Sequence, residues 1–242
     1  FNAFDMNCVA HQSPGLWRHP DDRSWDYNTI DYWVDLARLL ETGGFDGLFI
    51  ADVLGTYDVY GASDEAAIRQ AAQVPVNDPL LLVSAMAYVT EHLGFGITTG
   101  TGFEPPYPFA RRLSTLDHLT GGRIGWNVVT GYLPSAARNM GQTDQPAHDA
   151  RYDHADEYLE VLYKLWEGSW ADGAVRRDRA ARVFAEGTRV ADSLVIIDLP
   201  QAVDLVGNLA GLDFLMRDCT NVCRWFRSRG LAVDEGELYA DL

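Results

Sequence analysis

The sequence predicts an α/β chain in which alternating strands and helices build a parallel sheet. Three observations carry this. Through the first two thirds of the 242 residues, short apolar runs alternate with amphipathic segments, the pattern of successive βα units. Glycine pairs, Gly43–Gly44 and Gly121–Gly122, stand where helices must stop before the next apolar run. Polar residues recur where runs end: Asp52, then Thr98 to Thr101, then Asn127 to Thr130. In an eight-stranded (β/α)8 barrel, functional residues sit on loops after the C-terminal strand ends, so these positions fall on its functional face.

The elements follow in order. Asn2 to Cys8 reads as a first strand, followed by a polar loop rich in His, Pro and Asp. A helix spans about Thr29 to Thr42, and Phe45 to Ala51 is the second strand. After another long loop, Asp78 suits an N-cap with Pro79 at the first helical position, opening an apolar helix to about His92. Phe95 to Thr99 is the third strand, and a helix through about Leu119 leads to a fourth from Arg123 to Val129. Asp149 or Arg151 then begins a helix whose Ala155, Tyr158, Leu159, Leu162 and Trp166 share one apolar face. The long loops after the first two strands lie on the functional face, where such loops serve as lids or binding loops. In the last quarter the rhythm blurs, although Leu194 to Ile197 and Leu205 to Met216 remain apolar.

Composition narrows the function. With 47% hydrophobic and 22% charged residues the chain can bury a core, which argues against disorder. Lys plus Arg is 19 against 35 Asp plus Glu, a net charge of -16, so neither nucleic acid nor an anionic membrane is an expected partner. Without a membrane-length apolar run or a signal-like leader, the chain is read as soluble and cytoplasmic. Cys8, Cys219 and Cys223 lack CxxC spacing and read as buried or incidental thiols rather than zinc ligands.

The familiar cofactor motifs are missing: no GxGxxG follows the first strand, and there is no Walker loop, HExxH or GxSxG. His148 and His154 lie six apart, which puts them on different helix faces and argues against a shared metal. His148 and Tyr152 are four apart at a helix start, so both can face one ligand near an end that favours anions. The same spacing serves a helix cap with a surface aromatic, and Asp52 could equally cap backbone N–H groups. Arg111 and Arg112 read as a solvated helix face more readily than as a phosphate clamp, and Trp17, Trp25, Trp33 and Trp126 could be core or pocket wall.

Several stretches carry a resemblance: "NCVAHQSPGLWRHP", "FDGLFIADVLGTYDVYG", "VNDPLLLVSAMAYVTEHLGFGITT", "EPPYPFARRLSTLDHLTGGRIGWNVVT" and "HDARYDHADEYLEVLYKLWEGSW". In this order and spacing, from about residue 1 to about residue 184, the chain resembles the flavin-dependent monooxygenases of the bacterial luciferase-like superfamily. The similar branch is that of nitrilotriacetate monooxygenase, pristinamycin synthase and dibenzothiophene sulfone monooxygenase. The resemblance implies a luciferase-like, TIM-type (β/α)8 barrel that accepts reduced FMN (FMNH2) from a separate NAD(P)H-dependent flavin reductase. With O2, such an enzyme oxidises a small-molecule organic substrate, and a homodimer is the expected assembly. By position in the motifs, Asp52, Thr98, Asn127, His148 and Tyr152 match flavin-contacting residues. His11, in the loop after the first strand, is the candidate catalytic contact for substrate or activated oxygen.

Beyond about Phe184 the resemblance changes character. The Gly-Ser-rich loop that helps hold the FMN phosphate in this family is not found, and "GTRVADSLVIIDLP" onward looks like the family's extreme C-terminus. The barrel is therefore expected to be incomplete in this chain, with a seam near Ala185 to Gly187. Residues 1–185 are expected to be βα units carrying the flavin site, and residues 186–242 a C-terminal barrel segment that follows either a deletion or a stretch that this sequence omits. The competing expectation is a catalytically inert paralogue or subunit that partners a complete family member; an FMN-independent binding module would leave Asp52, His148 and Tyr152 unconverged.

Overall fold

The computed structural model describes residues 1–11 and 13–186. The apolar runs Leu194 to Ile197 and Leu205 to Met216, Cys219, Cys223 and the segment 187–242 lie outside the described residues.

Strands β1 (Asn2–Met6), β2 (Gly47–Ala51), β3 (Gly94–Gly100) and β4 (Ile124–Val129) form one sheet in the order β1-β2-β3-β4, every pair parallel. Strand order that follows chain order, without reversal, is the winding of a βα barrel; a doubly wound sheet turns back at a switch point. The crossover helices α1 (Ile30–Thr42), α3 (Leu80–Tyr88) and α4 (Pro106–Thr120) and the following α6 (His148–Gly168) pack as successive neighbours in one layer. Shorter helices α2 (Glu65–Gln70) and α5 (Pro134–Asn139) sit within loops, and a small antiparallel pair, β5 (Val175–Asp178) and β6 (Val183–Ala185), follows α6.

Alternation along each strand sorts residues to two faces. Leu48 and Ile50 of β2 with Phe95 and Ile97 of β3 are buried against Trp33, Ala37 and Leu40 of α1, Val83 and Met86 of α3, and Leu116 of α4. Full burial of each large apolar side chain contributes about 1.5–3 kcal/mol, so this sheet–helix interface dominates stability. A second cluster joins Phe109 and Ala110 of α4 to Tyr158 and Leu162 of α6, with Trp126 alongside. Trp33 and Trp126 are thus packing residues, and Trp126 also donates its indole N–H to the Thr99 carbonyl at 2.9 Å. Trp17 and Trp25 are exposed. The opposite sheet face carries Phe4, Phe49, Gly96, Thr98, Gly125 and Asn127, the inward positions of a barrel wall. A Cβ on Gly96 would come within 3.3 Å of the Phe49 ring, so this glycine lets Phe49 lie over β3.

Several boundaries move by a few residues for identifiable reasons. The first strand ends at Met6 instead of Cys8 because the next residues pair with the β2–α3 connection: Asn77 N–H donates to the Asn7 carbonyl at 2.9 Å and Gln73 N–H to that of Ala10 at 2.7 Å. Helix α3 begins at Leu80 with Pro79 as N-cap, yet the Asp78 carboxylate still accepts the Leu80 N–H at 2.9 Å. It ends at Tyr88, four residues short of His92, where Thr90 turns its hydroxyl back to the Met86 carbonyl at 2.9 Å.

The turn entering β3 is held by one carboxylate. Glu41 Oε1 accepts the N–H groups of Glu91, His92 and Leu93 at 2.8, 2.6 and 3.1 Å. These bonds, that from His92 foremost, hold its pKa below the usual carboxylate range. A depressed carboxylate stabilises the fold above its unfolded pKa and loses that contribution as pH falls through the folded one. Glu41→Ala should therefore lower the thermal midpoint at pH 7 and much less near pH 3, as followed by circular dichroism; equal melting at pH 7 would contradict this.

Candidate functional site at the C-terminal strand ends

Parallel strands place all their C-terminal ends on one rim, and the sequence-predicted polar residues gather there. Thr98 closes the buried part of β3, and its register partner on β4 is Asn127. Asn127 Nδ2 donates to Thr98 Oγ1 at 3.0 Å. That bond fixes polarity: the Thr98 hydroxyl, having accepted, keeps its own proton to donate, and the Asn127 amide oxygen remains an acceptor. The pair thus offers one donor beside one acceptor.

Asp52 follows the last residue of β2, the strand that pairs with β3. Burial and the negative charge of Asp78 push its carboxyl up to about 7, opposed by a hydrogen bond from the Val53 N–H. It therefore carries a proton for part of the time near neutrality. Toward the β1 edge of the sheet, His11 lies with its ring centroid 4.8 Å from that of Phe4, and Phe4 in turn meets Phe49 at 5.4 Å. His11 Nδ1 is buried without a hydrogen-bond partner among the described residues, and burial lowers the pKa of the ring. Asn7, 2% exposed at the end of β1, donates Nδ2 to the Asp78 carbonyl at 3.2 Å and leaves its Oδ1 unpartnered.

Helix α6 begins at His148, one residue before the earlier of the two expected starts, and this brings His148 and Tyr152 together on its first turns. Their ring centroids are 4.9 Å apart, and Tyr152 is 52% exposed. His148 Nδ1 lies 2.8 Å from the Asp149 carboxylate. His154 turns elsewhere, its Nε2–H donating to the Thr101 carbonyl at 3.1 Å, which pins α6 to the loop after β3. Thr98 with Asn127 and His148 with Tyr152 are each in direct contact, while no hydrogen bond among the described residues joins one pair to the other. Arg112 is engaged in a two-pronged bond to Glu104 at 2.5 and 3.3 Å.

Sequence reasoning overlooked Asn7, which lay inside the expected strand, and the influence of Asp78 on Asp52, since those residues approach only through the folded β2–α3 connection. The signal available was the capping role of Asp78, which fixes that loop's return.

The winding, the single helical layer and a polar rim built from consecutive strand ends define a βα-barrel protein. The chain belongs to the luciferase-like monooxygenase family, whose model matches residues 4–200. A shorter match, to the RIO domain, covers residues 189–238, outside the described residues. The chain is 62% identical over 189 residues to the dimethyl-sulfide monooxygenase of Hyphomicrobium sulfonivorans, covering 78% of this chain and 39% of that one. The crystal structure of a long-chain alkane monooxygenase is similar with a TM-score of 0.74 at 60% identity, covering 76% of this chain and 42% of that one. A riboflavin lyase crystallised with a modified FMN and riboflavin gives 0.71 at 40% identity, with 77% and 41% covered. The chain thus spans about two fifths of the length of these relatives.

Proposed function

We propose that this chain carries the flavin-binding wall of a two-component monooxygenase that uses O2 and reduced FMN, delivered by a separate NAD(P)H-dependent reductase, to oxidise a small organic substrate. The observation that supports this best is the donor–acceptor edge of Thr98 and Asn127, on the same strand-end rim as the half-buried carboxyl of Asp52. An isoalloxazine ring carries alternating carbonyl and N–H groups along one edge, and this set of side chains has the complementary chemistry. Gly125, beside Asn127 on the same wall, adds no side chain to it. When bound, the reduced flavin supplies the oxygen-activating chemistry, and the protein's part is to hold it, orient it and keep water away.

In this reading Thr98 donates to a ring carbonyl, Asn127 accepts a ring N–H, and Asp52 hydrogen-bonds at the same end. His148 and Tyr152 reach the ribityl or phosphate end. His11, backed by Phe4, faces the space where substrate would lie, with a neutral ring whose free nitrogen can exchange a proton. Residues 1–185 are the flavin-bearing unit and 186–242 the barrel segment that follows it; a homodimer in the cytoplasm, where the reductase finds NAD(P)H, completes the proposal. Among the described residues no helix is long and apolar enough to cross a membrane.

His148→Ala and Tyr152→Phe test the assignment, since both side chains are exposed and contribute little to packing. Each should weaken binding of reduced FMN, measured by anaerobic titration, by about three- to tenfold, the loss of one hydrogen bond, with the thermal midpoint unchanged. Unaltered affinity in both variants would remove these residues from the site.

A further inference from the structure

We propose that Ser135 and Gly55 are positioning residues of the site: together they clasp the loop that follows β2 onto helix α5, across the end of β3, and so hold Asp52 in its place on the rim for the flavin. The role toward flavin rests on the reading above; the hold on Asp52 does not.

The loop after β2 has no strand beside it, so its main-chain carbonyls must find donors elsewhere. Helix α5 supplies them. Ser135 Oγ donates to the Thr56 carbonyl at 2.8 Å, and Asn139 Nδ2 donates to the Leu54 carbonyl at 2.9 Å. Arg138 Nη2 lies 3.7 Å from the Asp58 carboxylate, and the hydroxyls of Tyr57 and Tyr132 are in contact. A helix of six residues has too few internal bonds to stand by itself, so loop and helix order each other.

So close an approach needs small residues on both sides. Helix α5 buries Ser135, Ala136 and Ala137, and Gly55, itself buried, fits against them. A Cβ on Gly55 would come within 2.6 Å of the Ala136 nitrogen and closer still to Ser135 Oγ. The Ala136 nitrogen is main chain and cannot swing aside, so a side chain at position 55 lifts the loop.

The clasp sits over the rim. Because β3 lies between β2 and β4, a contact from the loop after β2 to the helix after β4 crosses the C-terminal end of β3. Thr98 stands at that end, with Asp52 and Asn127 on the flanking strands. The Val53 N–H bonds to the Asp52 carboxyl, and Gly55 follows two residues later, so the place of that carboxyl is tied to the course of the clasped loop. The titratable groups acting on Asp52 are Asp78 of the β2–α3 connection and the Cys8 thiol after β1. Neither belongs to the clasp, so a change at Gly55 or Ser135 reaches Asp52 through the loop alone.

Two measurements on the full chain test this. One is a 13C NMR titration of the Asp52 carboxyl in the flavin-free protein, its resonance assigned by its loss in Asp52→Asn; the other is an anaerobic titration with reduced FMN. Ser135→Ala removes one hydrogen bond with little change in volume, and Gly55→Ala forces the loop away. In wild type the carboxyl should titrate at about 7. Its midpoint should fall by about one pH unit in Ser135→Ala, as water reaches the carboxyl, and further in Gly55→Ala. Reduced FMN should bind about three- to tenfold more weakly in Ser135→Ala, and by about tenfold or more in Gly55→Ala. An Asp52 midpoint that stays at the wild-type value in Ser135→Ala overturns the proposal, whatever happens to flavin affinity, since a loss of packing alone leaves that titration unmoved. A lowered midpoint with unchanged FMN affinity overturns it as well. If wild type binds no reduced FMN while the midpoint falls in both variants, the clasp stands as the device that places Asp52, and it is the flavin reading that falls.

Discussion

Arg123→Ala should be among the most destabilising single substitutions in this fold, lowering the unfolding free energy by about 3 kcal/mol and the thermal midpoint by about 6–10 °C. Arg123 stands just before β4 and spreads its guanidinium over the ends of two helices and the start of β3. Nε donates to the Thr120 carbonyl at 2.8 Å. Nη1 donates to Thr90 Oγ1 at 3.0 Å and the Leu93 carbonyl at 2.8 Å. Nη2 donates to the carbonyls of Ala87 and Thr90 at 3.0 and 3.1 Å, and the group lies 5.7 Å from the centre of the Phe95 ring. Four of these acceptors are main-chain carbonyls at the ends of α3 and α4 and the entry to β3, and truncation would leave them unpaired together. Lysine cannot replace the fork, because its single ammonium reaches only part of this set. A thermal melt of Arg123→Lys should fall between wild type and alanine. A melt of Arg123→Ala that matches wild type would mean that water replaces the guanidinium without loss.

Asp52→Asn should raise stability at alkaline pH while weakening flavin binding. A carboxyl raised to about 7 in the fold, from an ordinary value of 3.8, binds its proton more tightly when folded than when unfolded. Its contribution to stability is therefore complete below about pH 4 and is lost as pH rises through about 7. Asparagine carries no charge at any pH and escapes that loss. The variant should melt above wild type at pH 8, with the two converging at pH 4. In the same protein the affinity for reduced FMN should fall about tenfold, since the carboxyl can present either a proton or a lone pair and the amide has a fixed arrangement. A stability difference independent of pH would remove the charge argument, and unchanged flavin affinity would remove Asp52 from the site. The electrostatic partner is Asp78: Asp78→Asn should shift the pH dependence of wild type toward lower pH without touching the β2 end itself.

The course of the chain was legible wherever local rules sufficed. The two glycine pairs mark the ends of α1 and α4, and Gly121 is indeed in the left-handed conformation that ends a helix. The alternation through "GLFIA" separates Leu48 and Ile50 from Phe49, and the fold buries the first two against the helices. Asp52, Thr98 and Asn127 were placed on one rim because parallel strands have no other way to align their ends. The four-residue step from His148 to Tyr152 became a contact once the helix began at His148.

What local rules could not supply were the relations across the sheet and between loops. The segment after β1 leaves the strand early because residues 71–77 return to pair with it, a contact about 65 residues distant that no spacing announces. The raised carboxyl of Asp52 depends on burial and on Asp78, which the β2–α3 connection brings back to the rim. The free hydroxyl of Thr98 depends on an amide from the neighbouring strand, and the hydrogen bond at the Thr101 carbonyl on a histidine reaching over from α6. Strand and helix identity is written in residue-by-residue periodicity, which the chain carries along its length. Charge state and unsatisfied hydrogen bonding arise from the dielectric and from partners that only three-dimensional closure supplies, and these are the properties on which the chemistry of this rim depends.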